Sequence, residues 1–298
     1  MDGILIIDKP AGITSHDVVA HVRRALKTKR VGHTGTLDPF ATGVMVTLVG
    51  KATRLAQFVG RDEKEYEATV QFGWETDTGD RDGLRTAECG LRSVEVAERL
   101  TAIDWEPVLS KFRGSIKQVP PMYSAKKVEG KRLYELARSG VEIEREAVDV
   151  SINKLEIRGE VSPDTLRMLV ACSAGTYIRT LAEDIGREVG VLAHLTELRR
   201  TRAGQFTLEK ASTLDELAGH QSTQELLMPI ELAVSHLPVF ELREDRVAKT
   251  LNGMSTRDVS GRFANGELIR MNTPEGGLAA IGYFDEAEKT VQPKVVLG

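Results

Sequence analysis

The chain has 298 residues, of which 41% are hydrophobic and 28% charged, with a formal net charge of −4; that is ordinary globular composition with room for about two domains. No apolar run approaches the ~18 residues of a membrane span, and MDGILIIDKP carries an acid where a secretory signal carries positive charge, so the expected compartment is the cytoplasm. Cys89 and Cys172 lie too far apart in sequence for a disulfide framework or a zinc site, and Cys172, within RMLVACSAG, reads as a small buried hydrophobe.

Ile4 to Ile7 is a short apolar strand candidate ending at Asp8-Lys9-Pro10. Ser15 follows as an N-cap, and Val18, Val19, Val22, Ala25 and Leu26 fall on one helical stripe. Arg23, Arg24 and Lys27 fall off it and face solvent or a ligand. Next comes GHTGTLDPFATG, from Gly32 to Gly43, which sets one acid, Asp38, beside Pro39 and among three glycines. Glycine frees the backbone, while proline fixes its own φ and biases Asp38 toward an extended conformation. Such a segment can hold a carboxylate on a rigid loop; the plainer alternative is a turn in which Asp bonds its own backbone.

Val44 to Val49 reads as a buried strand. Tyr66, Ala68, Val70 and Phe72 alternate with Glu65, Glu67, Thr69 and Gln71, the period-two pattern of a half-buried strand. Ser93 to Ile103 is an amphipathic helix with Val96, Leu100 and Ile103 on one face. Leu133 to Ala137 suggests a short helix in a Lys-rich segment, Leu166 to Ala171 a further strand, and Thr176 to Val189 a helix whose core stripe is Ile178, Leu181, Ala182 and Ile185. The order does not repeat βαβ, so the expected class is α+β, a mainly antiparallel central sheet flanked by helices. A boundary is expected near Ser235-His236-Leu237-Pro238. Beyond it, Asn252-Gly253, Ser260-Gly261, Asn265-Gly266 and Gly276-Gly277 are turn signals at strand spacing, giving units at 1–235 and 236–298.

A net negative charge argues against a nucleic-acid partner, but distribution outweighs the sum. Arg23, Arg24, Lys27, Lys29 and Arg30 form one basic cluster, Lys126, Lys127, Lys131 and Arg132 a second, and Arg199, Arg200 and Arg202 a third. Each alone is a solvated face; together they suggest a local phosphate-binding track. Other chemistries fail on spacing. Gly50-Lys51-Ala52 lacks the glycine spacing and the Ser/Thr of a phosphate loop, and Asp77, Asp80 and Asp82 before Gly83 lack the spacing and closing Glu of a calcium loop. Six histidines form no HExxH pair. Neither metal nor organic cofactor is expected.

Five stretches in order resemble the TruB family, the tRNA pseudouridine synthases acting on the T arm. They are Lys9-Pro10-Ala11-Gly12-Ile13-Thr14-Ser15-His16; the Asp38 segment; KEYEATVQFGWETDTGD from Lys64 to Asp80; VPPMYSAKKVEGKRLYELAR from Val119 to Arg138; and CSAGTYIRTLAEDIG from Cys172 to Gly186. The resemblance implies conversion of uridine 55 in the tRNA T loop to pseudouridine, with flipping of the target base and Asp38 as the catalytic carboxylate. It gives Tyr66 as a stacking face and acid or base, although a core tyrosine fits its position equally. Arg179 is a natural partner for the carboxylate, and Asp80 orients Arg179 or is a plain turn acid. The resemblance further implies that His33 stacks on an opened base, Lys9 and Pro10 brace the Asp38 loop, and Leu198 walls the base. Lys126, Lys127 and Lys131, in an insertion at about 114–142, grip phosphates. The C-terminal unit is expected to be a PUA-like RNA-binding pseudobarrel, and the protein a monomer without an obligatory protein partner that also assists tRNA folding. Competing readings are a catalytically silent RNA-binding protein on the same scaffold, an unrelated hydrolase with Asp38 as nucleophile, and the RNA-guided branch of the family.

Overall fold

The first apolar run forms β1 (Gly3–Lys9), buried along almost its whole length, as a strand without polar alternation must be. The structure, a computed structural model, describes the chain apart from residues 60–61, 125–126, 129–130, 139, 142, 160–161 and 221; at 127, 128, 131, 132, 134, 135 and 138 it describes the backbone alone. α1 (Ser15–Ala25) is capped by Thr14 and not, as the sequence suggests, by Ser15. The Thr14 hydroxyl accepts from the Asp17 N–H and the Asp17 carboxylate accepts from the Thr14 N–H, a reciprocal capping box. Val18, Val19, Val22 and Leu26 are buried on the expected stripe. β2 (Val31–His33) and β3 (Thr42–Val49) follow, and the loop between them carries Asp38.

β4 (Lys64–Phe72) buries Tyr66, Ala68, Val70 and Phe72, as the alternation requires. β5 (Trp74–Thr76) and β6 (Arg85–Glu88) make a separate hairpin around the TDTGD turn. α2 (Ser93–Ala102) buries Val96 and Leu100, four residues apart, and α3 (Trp105–Ser110) starts at an Asp104 cap. β7 (Gly114–Gln118) leads into the Lys-rich stretch, where β8 (Lys127–Val128) pairs with β9 (Lys131–Arg132) ahead of α4 (Leu133–Arg138). The chain returns through β10 (Val148–Ile157), β11 (Thr165–Cys172), α5 (Ile178–Glu188), β12 (Ala193–Ala203), β13 (Phe206–Thr207) and α6 (Leu214–Gly219).

One sheet runs β1-β3-β12-β4-β11-β10-β7, with β2 on β3 and β13 on β12. Every pairing is antiparallel except β12 beside β3, joined through Arg199 opposite Thr42 and Arg200 opposite Gly43. α5 and α2 bury their stripes on β4 and β11, with Phe72, Leu100, Val170, Leu181 and Ile185 in one cluster. α1 packs with Leu217 of α6 against Leu5, Ile7 and Met45. The central sheet is mixed but mainly antiparallel, as expected.

The last stretch contains β14 (Val239–Glu241), α7 (Glu244–Leu251), β15 (Thr256–Arg257), β16 (Leu268–Asn272), β17 (Leu278–Asp285) and β18 (Thr290–Val296), in a curled second sheet ordered β14-β16-β17-β18-β15. It has its own cluster around Phe240, Phe263, Met271, Phe284 and Val291. A third cluster belongs to both sheets: Leu278, Ile281 and Leu297 pack with Ile4, Val44, Val46 and Leu48. Arg54 Nη1 also donates to the Val296 carbonyl at 2.6 Å.

Candidate active site

The Asp38 loop is held from beneath by buried side chains. Ser15, released from capping, donates to the Leu37 carbonyl at 3.0 Å and accepts from the Leu37 N–H at 2.9 Å. Lys9 is fully buried; its Nζ donates to the carbonyls of Ala41 at 2.7 Å, Pro10 at 2.9 Å and Pro39 at 3.1 Å. Burial pulls its pKa down to about 8, against the pull of Asp38 upward. The Gly12 N–H adds a bond to the Pro39 carbonyl at 2.9 Å. Arg200, on β12, donates through Nε to the Val44 carbonyl at 2.6 Å and through Nη2 to that of Gly35 at 3.2 Å. Gly43 lets the two strands meet: its φ is +103°, and a Cβ there would lie 2.2 Å from the Arg200 carbonyl oxygen. Two cations and one hydroxyl thus fix the loop backbone and leave the Asp38 side chain to the solvent side.

Of the third basic cluster, Arg200 is buried and the other two arginines are engaged in ion pairs. Arg199 forks onto Asp8 at 2.7 and 3.1 Å, Arg202 pairs with Glu63 at 2.6 Å, and Arg200 is 2% exposed. The signal for this lay in period two: Arg200 stands two residues after buried Leu198 on one strand and shares its face.

Arg179, in the first turn of α5, meets Asp38 as a fork. Its Nε lies 2.9 Å from Oδ2 and its Nη2 donates to Oδ1 at 3.1 Å, the bidentate geometry that a guanidinium prefers. Side-chain exposure is 5% for Arg179 and 32% for Asp38, so the cation is sealed in while the carboxylate keeps an open face. The remaining donors are spent on the Thr78 carbonyl at 2.7 Å and the Tyr123 carbonyl at 2.8 Å. Asp80 stands 3.6 Å from Nη1, an ion-pair distance beyond a hydrogen bond. Its own bonds come from the Thr78 hydroxyl at 2.7 Å and the Asp82 N–H at 3.1 Å, and burial raises its pKa despite them. Asp80 thus shapes the turn whose Thr78 carbonyl holds Arg179. Gln118, exchanging bonds with the Tyr177 backbone at 2.8 and 3.0 Å, anchors the start of α5.

Asp38 and Arg179 open on a cavity of about 300 Å³ walled by Tyr66, Leu198, Ile178 and Lys64. The Tyr66 phenol is buried, which pushes its pKa up, with the Arg200 guanidinium pulling the other way. Lys64 has its pKa lowered by burial and by Arg200, and its Nζ donates to the Asp62 carbonyl at 2.6 Å. The structure thus brings Asp38, Tyr66, Arg179 and Leu198 to one cavity, with Asp80 behind Arg179. His33 stands outside the lining, edge-on to His16 at 5.9 Å and 84°. Burial lowers its pKa, and its Nδ1 has no partner among the described residues. Pro10 is exposed. Lys126 lies outside the described residues, and Lys127 and Lys131 are described only as the backbone of the β8–β9 hairpin. From sequence Ser15 reads only as a helix cap and Arg200 only as part of a basic cluster, and nothing there points to the carbonyls of Thr78 and Tyr123.

Among the described residues no three His, Cys, Asp or Glu side chains converge as metal ligands would, and no helix is long and apolar enough to cross a membrane.

Residues 23–178 match the N-terminal domain of the TruB family of pseudouridylate synthases, and residues 179–235 match the tRNA pseudouridylate synthase B C-terminal domain. A tRNA pseudouridine synthase B from Solibacter usitatus is 49% identical over 286 residues, covering 95% of this chain and 95% of its own. Its namesakes from Aromatoleum aromaticum and Bacillus subtilis are 46% and 38% identical, covering 99% and 100% of this chain and 92% and 98% of theirs. Among solved structures, the crystal structure of a Cbf5-Nop10-Gar1 complex aligns with a TM-score of 0.72 at 27% identity, over 99% of this chain and 85% of that one.

Proposed function

This chain belongs to the TruB family of pseudouridylate synthases, and on that premise we propose that it isomerises uridine 55 in the T loop of tRNA, with Asp38 as the catalytic carboxylate. The observation that carries this is the Asp38–Arg179 fork, a carboxylate clamped on one side and open on the other to a cavity with aromatic and aliphatic walls. In the reaction the bond from ribose C1′ to N1 of uracil breaks, the base turns, and C1′ bonds to C5. The C5 proton leaves and N1 gains one, so nothing is oxidised and no group is lost.

The target base must leave its stack, a cost of a few kcal/mol that binding in the pocket offsets. Leu198 and the Tyr66 ring would then hold the uracil by stacking and apolar contact, with the Tyr66 hydroxyl as the group suited to move the C5 proton. Arg179 positions Asp38 beside C1′ and C2′, and Asp80 acts through Arg179. Lys9, Pro10, Ser15 and Arg200 hold the loop. Lys126, Lys127 and Lys131 would grip phosphates, and His33 would stack on a base opened outside the cavity. We assign residues 1–235 to the catalytic unit, 114–142 to its RNA-gripping insertion and 236–298 to a PUA-like RNA-binding unit. The protein is proposed to act in the cytoplasm as a monomer without a guide RNA or protein partner, and to help tRNA fold. Relatives named as tRNA enzymes along nearly the full chain favour this over the RNA-guided reading.

The test is an unmodified tRNA transcript incubated with the purified protein alone, followed by mapping of pseudouridine. Product is expected at the T-loop uridine. Asp38→Asn keeps the shape but not the charge, so it should abolish product while leaving RNA affinity within about threefold, because affinity rests on phosphates and stacking. Turnover by Asp38→Asn near the native rate would sink the assignment.

A further inference from the structure

Ser124 brings a loose end to the cavity wall. The residue is 4% exposed, it lines the same cavity as Asp38, Tyr66 and Leu198, and its Oγ has no hydrogen-bond partner among the described residues. Buried hydroxyls are rarely left unpaired, and those that are call for a reason. The backbone leading up to it is fixed. The Ser124 N–H donates to the Met122 carbonyl at 2.9 Å, and the Tyr123 carbonyl accepts from Arg179 Nη2 at 2.8 Å. That same nitrogen donates to Asp38 Oδ1 at 3.1 Å. One guanidinium nitrogen therefore ties the peptide before Ser124 to the carboxylate, which puts the serine on the carboxylate's side of the cavity.

With uridine as substrate, the Asp38 side receives ribose C1′ and C2′, while the base lies against Tyr66 and Leu198. The polar group that ribose presents there is its 2′-hydroxyl, both donor and acceptor. Serine offers the same pair of capacities, so the two can satisfy each other in either direction. The neighbouring cations are already committed: Arg179 to Asp38, Thr78 and Tyr123, and Arg200 to Val44 and Gly35. We infer that the Ser124 hydroxyl hydrogen-bonds the 2′-hydroxyl of the target nucleotide and helps this site select RNA over DNA. The inference rests on the function proposed above.

The test uses T-arm hairpins carrying pseudouridine or 2′-deoxypseudouridine at the target position. Neither is turned over, so dissociation constants can be measured on the native chain and on Ser124→Ala. Ser124→Ala should weaken binding of the ribose hairpin roughly three- to tenfold, the worth of one hydrogen bond, and leave the deoxyribose hairpin unchanged. Its melting temperature should not fall, because the oxygen removed has no hydrogen-bond partner among the described residues. Ser124→Cys, similar in size but a poor donor, repeats the measurement if the alanine chain fails to fold. Equal weakening of both hairpins, or no weakening of the ribose hairpin, overturns the inference. If the native chain forms no pseudouridine on the uridine hairpin, the proposed function fails; if it does and Ser124 shows no dependence on the 2′-hydroxyl, only this inference is lost.

Discussion

Lys9 carries a charge into a place where the protein alone solvates it. Its three carbonyl acceptors are those of Pro10 and of Pro39 and Ala41, which follow Asp38 in the loop, so replacing it strands them. Each buried acceptor left unpaired costs about 1–3 kcal/mol; Lys9→Met should lose at least that much stability, read as a lower urea midpoint, and should lose turnover with it. The pH dependence has a definite sign. The folded-state pKa is about 8 against 10.5 in the unfolded chain, so between those values the unfolded state binds more protons and stability attributable to Lys9 rises with pH. The stability gap between the native chain and Lys9→Met should therefore widen from pH 8 to pH 10; a gap that narrows there would contradict a Lys9 pKa lowered by burial. Neither this residue's burial nor that of Arg200 follows from residue type, since Lys and Arg are usually exposed. Asp38, Tyr66 and Arg179 stood out in the sequence only because whole motifs surrounded them. Ser15 reads from the sequence as the helix cap, although the Thr14-to-Asp17 spacing of a capping box favours Thr14 and leaves Ser15 free to hold the loop.

At the scale of elements, the junction between β3 and β12 matters most, since two residue pairs join the half of the sheet bearing Asp38 to the half bearing Tyr66. Gly43→Ala puts a methyl group 2.2 Å from the Arg200 carbonyl oxygen and asks an L residue to hold φ +103°. A loss of about 2–4 kcal/mol and a sharp fall in turnover are expected, checked by thermal melting and by single-turnover assay at a temperature where the variant is folded. Native-like melting would mean that the junction opens without consequence. Strongly periodic elements were legible beforehand: β4 by its alternation, α2 and α5 by their stripes. β12 was not, although it is eleven residues long. Its sequence, AHLTELRRTRA, mixes buried charge into a central strand, and only tertiary contacts with the Asp38 loop, Asp8 and Glu63 make that tolerable.

For the whole molecule, the two sheets do not part cleanly near residue 235. Turn signals mark the last sixty-odd residues as a β unit because turns are local, but they carry no information about which face that unit buries. The shared cluster shows that Leu278, Ile281 and Leu297 cover Ile4, Val44, Val46 and Leu48. The separability suggested by turn spacing alone thus meets a common core. Ending the chain at Ser235 should expose that apolar patch, lower the melting temperature by at least several degrees and promote association, since each large side chain removed from such a contact costs about 2–5 kcal/mol. Calorimetry and light scattering on the shortened chain would show it. A monomer melting like the native chain would mean that the shared cluster contributes little.

Because Ile4 and Leu297 meet in one cluster, the earliest strand to leave the ribosome waits for the last. At about 5–20 residues per second, synthesis of this length takes roughly fifteen seconds to a minute. Throughout that time β1 and β3 can pair while one apolar face stays bare, and the Asp38 loop lacks Arg200 until two-thirds of the chain has been made. Long-range contacts of this kind also slow folding after release. The nascent chain is therefore a natural client for chaperones that shield apolar strands, and the modifying site is completed only late in translation.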